Sequence, residues 1–262
     1  MDQKTRSTIS EHVKNWSEDF GLAVALLTRI PVPQPPDVTP DRMARAQRAF
    51  PLVGAIVGLA TGLVDRCLLA IGIPELAAAA VALGAGALLT GALHEDGLAD
   101  VGDGFGGGRD REKKLAIMRD SRIGTDGVLA LLVSFVAKCS ALASLPFGEI
   151  IPALIVAHAL ARAAIPVVTA NMPFAREDGL GRSAGRPEPA SAVIAAVIAV
   201  VVALLCLPFG IALLAVLVTA AVAAAMAMLA WRQIGGVTGD VFGAIEQTAE
   251  TAVLLILAAQ YA

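Results

Sequence analysis

The chain has 262 residues, 56% of them hydrophobic, 16% charged and 4% aromatic, with a mean hydropathy of +0.72 and a formal net charge of −3. Too little polar surface remains to cover a soluble core of this size. Runs of roughly 20 apolar residues, long enough to cross a ~30 Å hydrocarbon layer, recur along it, so a soluble globular protein is excluded. The fold this predicts is all-α: a polytopic membrane bundle of about seven transmembrane helices, preceded by an interfacial helix.

In chain order, the first twenty residues are polar and mixed in charge, with no apolar stretch of the kind a cleavable signal peptide needs. Trp16, Phe20, Val24, Leu27 and Ile30 recur at spacings of three and four, which predicts a helix lying along the membrane surface. "PVPQPP" from Pro31 ends it. A second short helix starts at Thr39 with Pro40 in its first position. Arg42, Arg45 and Arg48 follow three apart on it, facing either anionic lipid or a substrate phosphate. Residues 1–49 thus form an N-terminal cytoplasmic or interfacial segment and residues 50–262 the transmembrane bundle, together a single membrane-embedded domain.

The apolar spans fall at 51–72, 76–93, 127–146, 150–171, 190–207, 211–231 and 242–261. The short connections "IPE", "PFGE" and "LPFG" carry no Lys or Arg. The long ones carry Arg109, Arg111, Lys113, Lys114, Arg119 and Arg122, then Arg176, Arg182 and Arg186, while the N-terminal segment adds Lys4, Arg6, Lys14 and Arg29. Alternation of basic and non-basic connections predicts seven spans with the N-terminus and every long connection on the cytoplasmic side. The expected location is a bacterial cytoplasmic (inner) membrane, with the C-terminus on the opposite face.

One stretch breaks the apolar pattern: "HEDGLADVGDGFGGGRDREKK", His94 to Lys114. At ~2.5–3.5 kcal/mol for each charge at the bilayer centre, Glu95, Asp96, Asp100 and Asp103 cannot face lipid and belong at the cytoplasmic mouth of the bundle. On a helix, Asp96, Asp100 and Asp103 stand at i, i+4 and i+7 and share one face. Such a face repels itself unless a cation joins it. Its hard oxygen donors, without a His/Cys set, favour Mg²⁺ or Mn²⁺ over zinc, and the spacing is not that of an EF-hand. No strand precedes the glycines and no Gly-Lys-Ser/Thr follows them, so P-loop and Rossmann readings fail. Carboxylates, a divalent ion, exposed amides and the following cations together suit a diphosphate.

"GGVTGD", 235–240, is a second polar constellation. Thr238 and Asp240 there bind either substrate or a second ion, or else cap the last helix. The long segment 171–189 reads as a flexible lid or a plain linker. Asp65, Arg66, Lys138 and Arg162 are charges within spans; Arg162, mid-span and one turn after His158, should meet a partner inside the bundle. Cys67, Cys139 and Cys206 are scattered through apolar runs and suit neither disulfides nor zinc.

"TRIPVP" at 28–33, "FPLVGAIVG" at 50–58, "HEDGLADVGDG" at 94–104, "RDREKKLAIMRDSRIGTDG" at 109–127 and "GGVTGDVFGA" at 235–244 resemble the cobalamin synthase family, the adenosylcobinamide-GDP ribazoletransferases. The resemblance covers nearly the whole chain in order, and its 94–127 block is highly specific. It implies a catalytic domain that joins adenosylcobinamide-GDP to α-ribazole or its 5′-phosphate, gives adenosylcobalamin or its 5′-phosphate, releases GMP, and requires Mg²⁺. In that light Asp96, Asp100 and Asp103, with Glu95 nearby, hold the metal, and one of the aspartates, Asp103 at the far end, accepts the hydroxyl proton. Arg109, Lys113, Arg119 and Arg122 contact phosphate oxygens. Asp120 and Ser121 either cap a helix or contact substrate. Membrane lipid, a second copy of the chain and other late-pathway enzymes are the further partners in view, and nucleic acid is not.

Two other readings remain open. A membrane prenyltransferase also uses an aspartate-rich Mg²⁺–diphosphate site, but its second aspartate-rich motif has no counterpart here beyond Asp240 and Glu246. A transporter would more often show an inverted repeat and acids at the midplane.

Overall fold

The computed structural model describes residues 3–33, 35 and 37–261, with side chains from Lys14 onward. Its helices are α1 (Gln3–Leu27), α2 (Pro40–Ala46, continued by a 3₁₀ turn at 47–49), α3 (Phe50–Ala70), α4 (Glu75–Thr90), α5 (Leu93–Gly107), α6 (Arg111–Ile117), α7 (Thr125–Ser144), α8 (Ile150–Asn171), α9 (Leu180–Ser183), α10 (Pro189–Cys206), α11 (Phe209–Ile234) and α12 (Gly239–Tyr261). Among the described residues the one β contact is an isolated parallel bridge between Phe174 and Val237.

Six helical stretches are long and apolar enough to cross a membrane: Pro40–Ala70, which contains α3, and α7, α8, α10, α11 and α12. α4 and α5 add a seventh only as a pair bent by 95°. The protein is therefore a multi-pass membrane protein, and six of the seven predicted spans stand nearly at their predicted bounds. The second is shorter. Sixteen residues at 1.5 Å each give α4 ~24 Å, less than a hydrocarbon core. Two consecutive left-handed residues end it, Gly91 at φ 73° and Ala92 at φ 56°. Ala92 carries a side chain in a conformation that costs roughly 1–2 kcal/mol. It is held there by Ala92 N–H donating to Ala87 O (2.7 Å) and by its own carbonyl accepting from Asp96 N–H (2.9 Å). The corner starts the acidic stretch as a separate helix.

α8 and α12 are the buried centre of the bundle. α3 crosses α8 at close range because glycines recur every four residues: a Cβ on Gly54 or Gly58 would run into the backbone carbonyl of His158 or Leu154. α12 packs against α5, α7, α8 and α11.

The N-terminal segment folds back on this bundle. Leu22, Ala23, Val24 and Leu27 of α1 are buried, with Trp16 and Phe20 partly so. The stripe stops at Leu27; Ile30 lies past the helix end and is exposed. The arginines of the second helix find partners among the acids of α1. Arg42 pairs with Glu18. Arg45 and Arg48 reach opposite oxygens of Asp19 at 3.0 and 2.8 Å. Asp19 is fully buried, and a buried carboxylate is tolerable only with such partners.

The non-basic connections gather at one end. Arg66 Nη1 donates to Phe147 O at 3.0 Å, and the Tyr261 hydroxyl donates to Glu149 Oε2 at 2.9 Å. The chain's last turn is therefore at the end opposite the basic connections, as the span count predicts.

Candidate functional site

Within the bundle, α5, α7, α8 and α12 enclose a knot of charge. Arg162 Nη1 lies 2.5 Å from Glu246 Oε1, and Lys138 Nζ donates to Glu250 Oε1 (3.0 Å) and Gln247 Oε1 (2.7 Å). His158 Nδ1 is 2.8 Å from both Arg162 Nη1 and Glu250 Oε2. Gln247 Nε2 donates onward to Glu246 Oε2 (3.0 Å) and Glu95 Oε1 (3.2 Å). His158, Glu246 and Glu250 are the only three possible metal ligands whose atoms come within 4.8 Å of one another among the described residues. Arg162 and Lys138 already neutralise both carboxylates, so this cluster reads as a structural ion network. It gives Arg162 the interior partner that its mid-span position demands, and it clamps α5 from below through Glu95.

The acidic face of α5 lies above this knot. Gly97 and Gly243 bring α5 against the start of α12: a Cβ on Gly97 would sit 2.7 Å from Asp240 O, and one on Gly243 would sit 2.9 Å from His94 O. Larger residues would wedge the two helices apart. Asp240 thereby joins the aspartates of α5, and Asp96, Asp103 and Asp240 all act electrostatically on Asp100.

Asp96 and Asp240 line a cavity of about 200 Å³, together with His94, Gln47, Arg176, Thr169 and the glycines 97, 181, 239 and 243. One wall is apolar, built from Leu26, Leu27, Phe50, Ile165 and Phe242. Its cover is the 171–189 segment, anchored rather than loose. Ala175 N–H donates to Val237 O (2.8 Å) and Val237 N–H to Pro173 O (2.9 Å). Arg111 ties both sides, donating to Ala175 O (2.6 Å) and Ile234 O (2.8 Å), and Gln47 Nε2 donates to Ala184 O and Gly185 O at 3.1 and 3.0 Å.

The predicted site residues therefore divide. Glu95 turns away from the aspartates into the core, lining a small cavity with Lys138, His158 and Arg162. Asp103 uses both oxygens on backbone amides, accepting from Gly124 N–H (2.6 Å) and Gly127 N–H (2.8 Å) and so capping the start of α7. Arg109, Lys113, Arg119, Ser121 and Arg122 are exposed and do not line the cavity. Arg119 pairs with Asp178 at 2.6 Å. Asp120 closes a local turn, accepting from Arg122 N–H, Nε and Nη2 rather than capping a helix. Those bonds hold its carboxyl down at about 2. Thr238 caps α12, its Oγ1 accepting from Val241 N–H at 3.3 Å, while Asp240 faces the cavity, so "GGVTGD" supplies both a cap and a site residue.

Three residues of this neighbourhood escape the sequence reading as site residues: Arg176, Gln47 and Glu246. Arg176 stood in a segment recognised only as a lid. Glu246 and Glu250, four apart in an apolar span, carried a signal for a buried ion network that their spacing could have announced.

The family model for cobalamin-5-phosphate synthase matches residues 19–258. A protein of Bradyrhizobium diazoefficiens named adenosylcobinamide-GDP ribazoletransferase is 45% identical, covering 95% of this chain and 96% of its own length. Proteins of the same name from a Sinorhizobium species and from Sinorhizobium medicae are 43% and 44% identical, each covering 94% of this chain and 98% of their own length. No solved structure matches the chain. The acidic helix, the glycine contacts that seat Asp240 beside it and the covered cavity thus lie within a continuous full-length similarity, and the chain belongs to the cobalamin-5-phosphate synthase family.

Proposed function

We propose that the chain transfers the corrinoid-bearing phosphoryl group of adenosylcobinamide-GDP to α-ribazole or α-ribazole 5′-phosphate, at the cytoplasmic face of a bacterial inner membrane. The observation that carries this reading is that Asp96 and Asp240 line one covered cavity that also contains a guanidinium, with Asp100 near enough to feel both charges. A hydroxyl oxygen of the ribazole ribose attacks the phosphorus nearer the corrinoid, and the bond from that phosphorus to the bridging oxygen breaks. GMP leaves with the bridging oxygen.

The residues fit a magnesium ion by donor chemistry: carboxylate oxygens from two helices, with no thiolate among them. Asp96, Asp100 and Asp240 would hold it, with Asp103 fixing the far end of the face through α7. When bound, the ion neutralises diphosphate oxygens and the charge that develops on departing GMP. The hydroxyl proton goes to Asp96 or Asp100, whose oxygens accept no backbone amide, in preference to Asp103. Arg109, Lys113, Arg119 and Arg122 form a basic rim that draws the anionic substrate toward the mouth. The apolar wall suits the less polar part of a large substrate.

The test is to incubate purified protein in lipid with adenosylcobinamide-GDP, α-ribazole phosphate and Mg²⁺ and to assay GMP. Release of GMP that needs all three supports the reading. Turnover of an isoprenoid diphosphate in their place would move the assignment to prenyl transfer.

A further inference from the structure

We infer that Arg176 is the residue that grips the substrate's diphosphate, giving up its contact with Asp240 for phosphate oxygens when substrate enters. The inference rests on the diphosphate reading above and names the cation that serves it.

Arg176 is the one lysine or arginine lining the cavity among the described residues. Of the other cations at this end, Arg111 is engaged on two carbonyls, Lys114 on Gln233, Arg119 on Asp178 and Arg122 on Asp120, while Arg109 and Lys113 are exposed outside the cavity. Arg176 Nη2 donates to Asp240 Oδ2 at 3.2 Å, long for a charge-assisted bond, and Nε lies 3.8 Å from the exposed Asp178. Its Nη1 is buried with no hydrogen-bond partner. A buried guanidinium nitrogen left unpaired is costly, and a bidentate anion is what its fork geometry matches.

The surroundings hold the guanidinium in place while leaving its partner free to change. The backbone just before it is pinned by the Val237 bonds to Pro173 and Ala175 and by Arg111 on Ala175 O. Gly179, at φ 90°, passes so close that a Cβ there would sit 3.1 Å from Arg176 Nη2. Asp240 also accepts from Thr238 Oγ1 at 3.3 Å, so it keeps a partner when Arg176 leaves it. Asp240 then becomes available to a divalent ion at the same step in which the guanidinium turns to phosphate. Removing the two ends of this ion pair should have opposite consequences, which a purely structural pair would not.

The experiment measures binding of inorganic diphosphate to the full chain in lipid nanodiscs by titration calorimetry, with Mg²⁺ and with EDTA, alongside melting temperature. Arg176→Gln should weaken diphosphate binding about tenfold or more in both conditions, and Arg176→Lys should recover part of it. Asp240→Asn frees the arginine and should strengthen binding in EDTA while weakening it in Mg²⁺. Arg176→Gln binding diphosphate like the unaltered protein, or both variants weakening it alike in EDTA, would overturn the assignment of Arg176. Failure of the unaltered protein to bind diphosphate in Mg²⁺ would instead overturn the diphosphate site itself, and the inference with it. If Arg176→Gln melts well below the unaltered protein, the Arg176→Lys and Asp240→Asn pair decides: opposite shifts in EDTA support the exchange and parallel losses refute it.

Discussion

Arg162 Nη1 and Glu246 Oε1 meet at 2.5 Å with both side chains at most 2% exposed, deep among four helices. Removing one partner strands the other's charge in a setting that cannot solvate it. Arg162→Met or Glu246→Ala should therefore destabilise the fold by roughly 3–5 kcal/mol, whereas the double replacement by apolar residues should cost less than either alone. Thermal unfolding in lipid checks this, and unchanged melting in both single variants would show that the pair does not hold α8 to α12.

The aspartates of α5 should separate into two behaviours. Asp96→Asn and Asp100→Asn should cut turnover at least ~10²-fold and raise the Mg²⁺ requirement, comparable with losing one strong electrostatic contact in a transition state. Their folding should survive, since like charges are removed. Asp103→Ala should also lower the melting temperature, because the Gly124 and Gly127 amides lose their acceptor, a loss of ~1 kcal/mol or more for a helix cap. Equal melting for all three variants would contradict the capping role.

Glycine contacts between α3 and α8 leave no room for a methyl group. Gly58→Ala should force the helices apart and cost roughly 1–3 kcal/mol. Gly84→Ala, where a Cβ meets nothing within 4 Å, should be neutral or slightly stabilising through helix propensity. Melting of the two variants side by side provides the comparison.

Membrane orientation has its own test. Single cysteines at 108 and 180 should label from the cytoplasm, and those at 74, 148, 209 and 261 from the opposite side. Labelling of 108 and 148 from one side would defeat this arrangement.

Much of the architecture was legible in the chain itself, because apolar runs of membrane-spanning length can do little else in lipid and the arginines and lysines of the connections alternate strictly. The acidic helix was legible for the same reason: Asp96, Asp100 and Asp103 are too costly to bury unsupported, and their spacing shares one face. What the sequence by itself could not determine is which groups those charges meet. Ala92 in a left-handed conformation ended the second span early, and no propensity announces that. Asp19 captured Arg45 and Arg48, and the amides of Gly124 and Gly127 captured Asp103. Glu95, one residue from Asp96, turned into the core toward Gln247 and Lys138. Neighbouring helical residues point about 100° apart, so only the packing of α5 against α7 and α12 decides which one faces the site and which one the bundle.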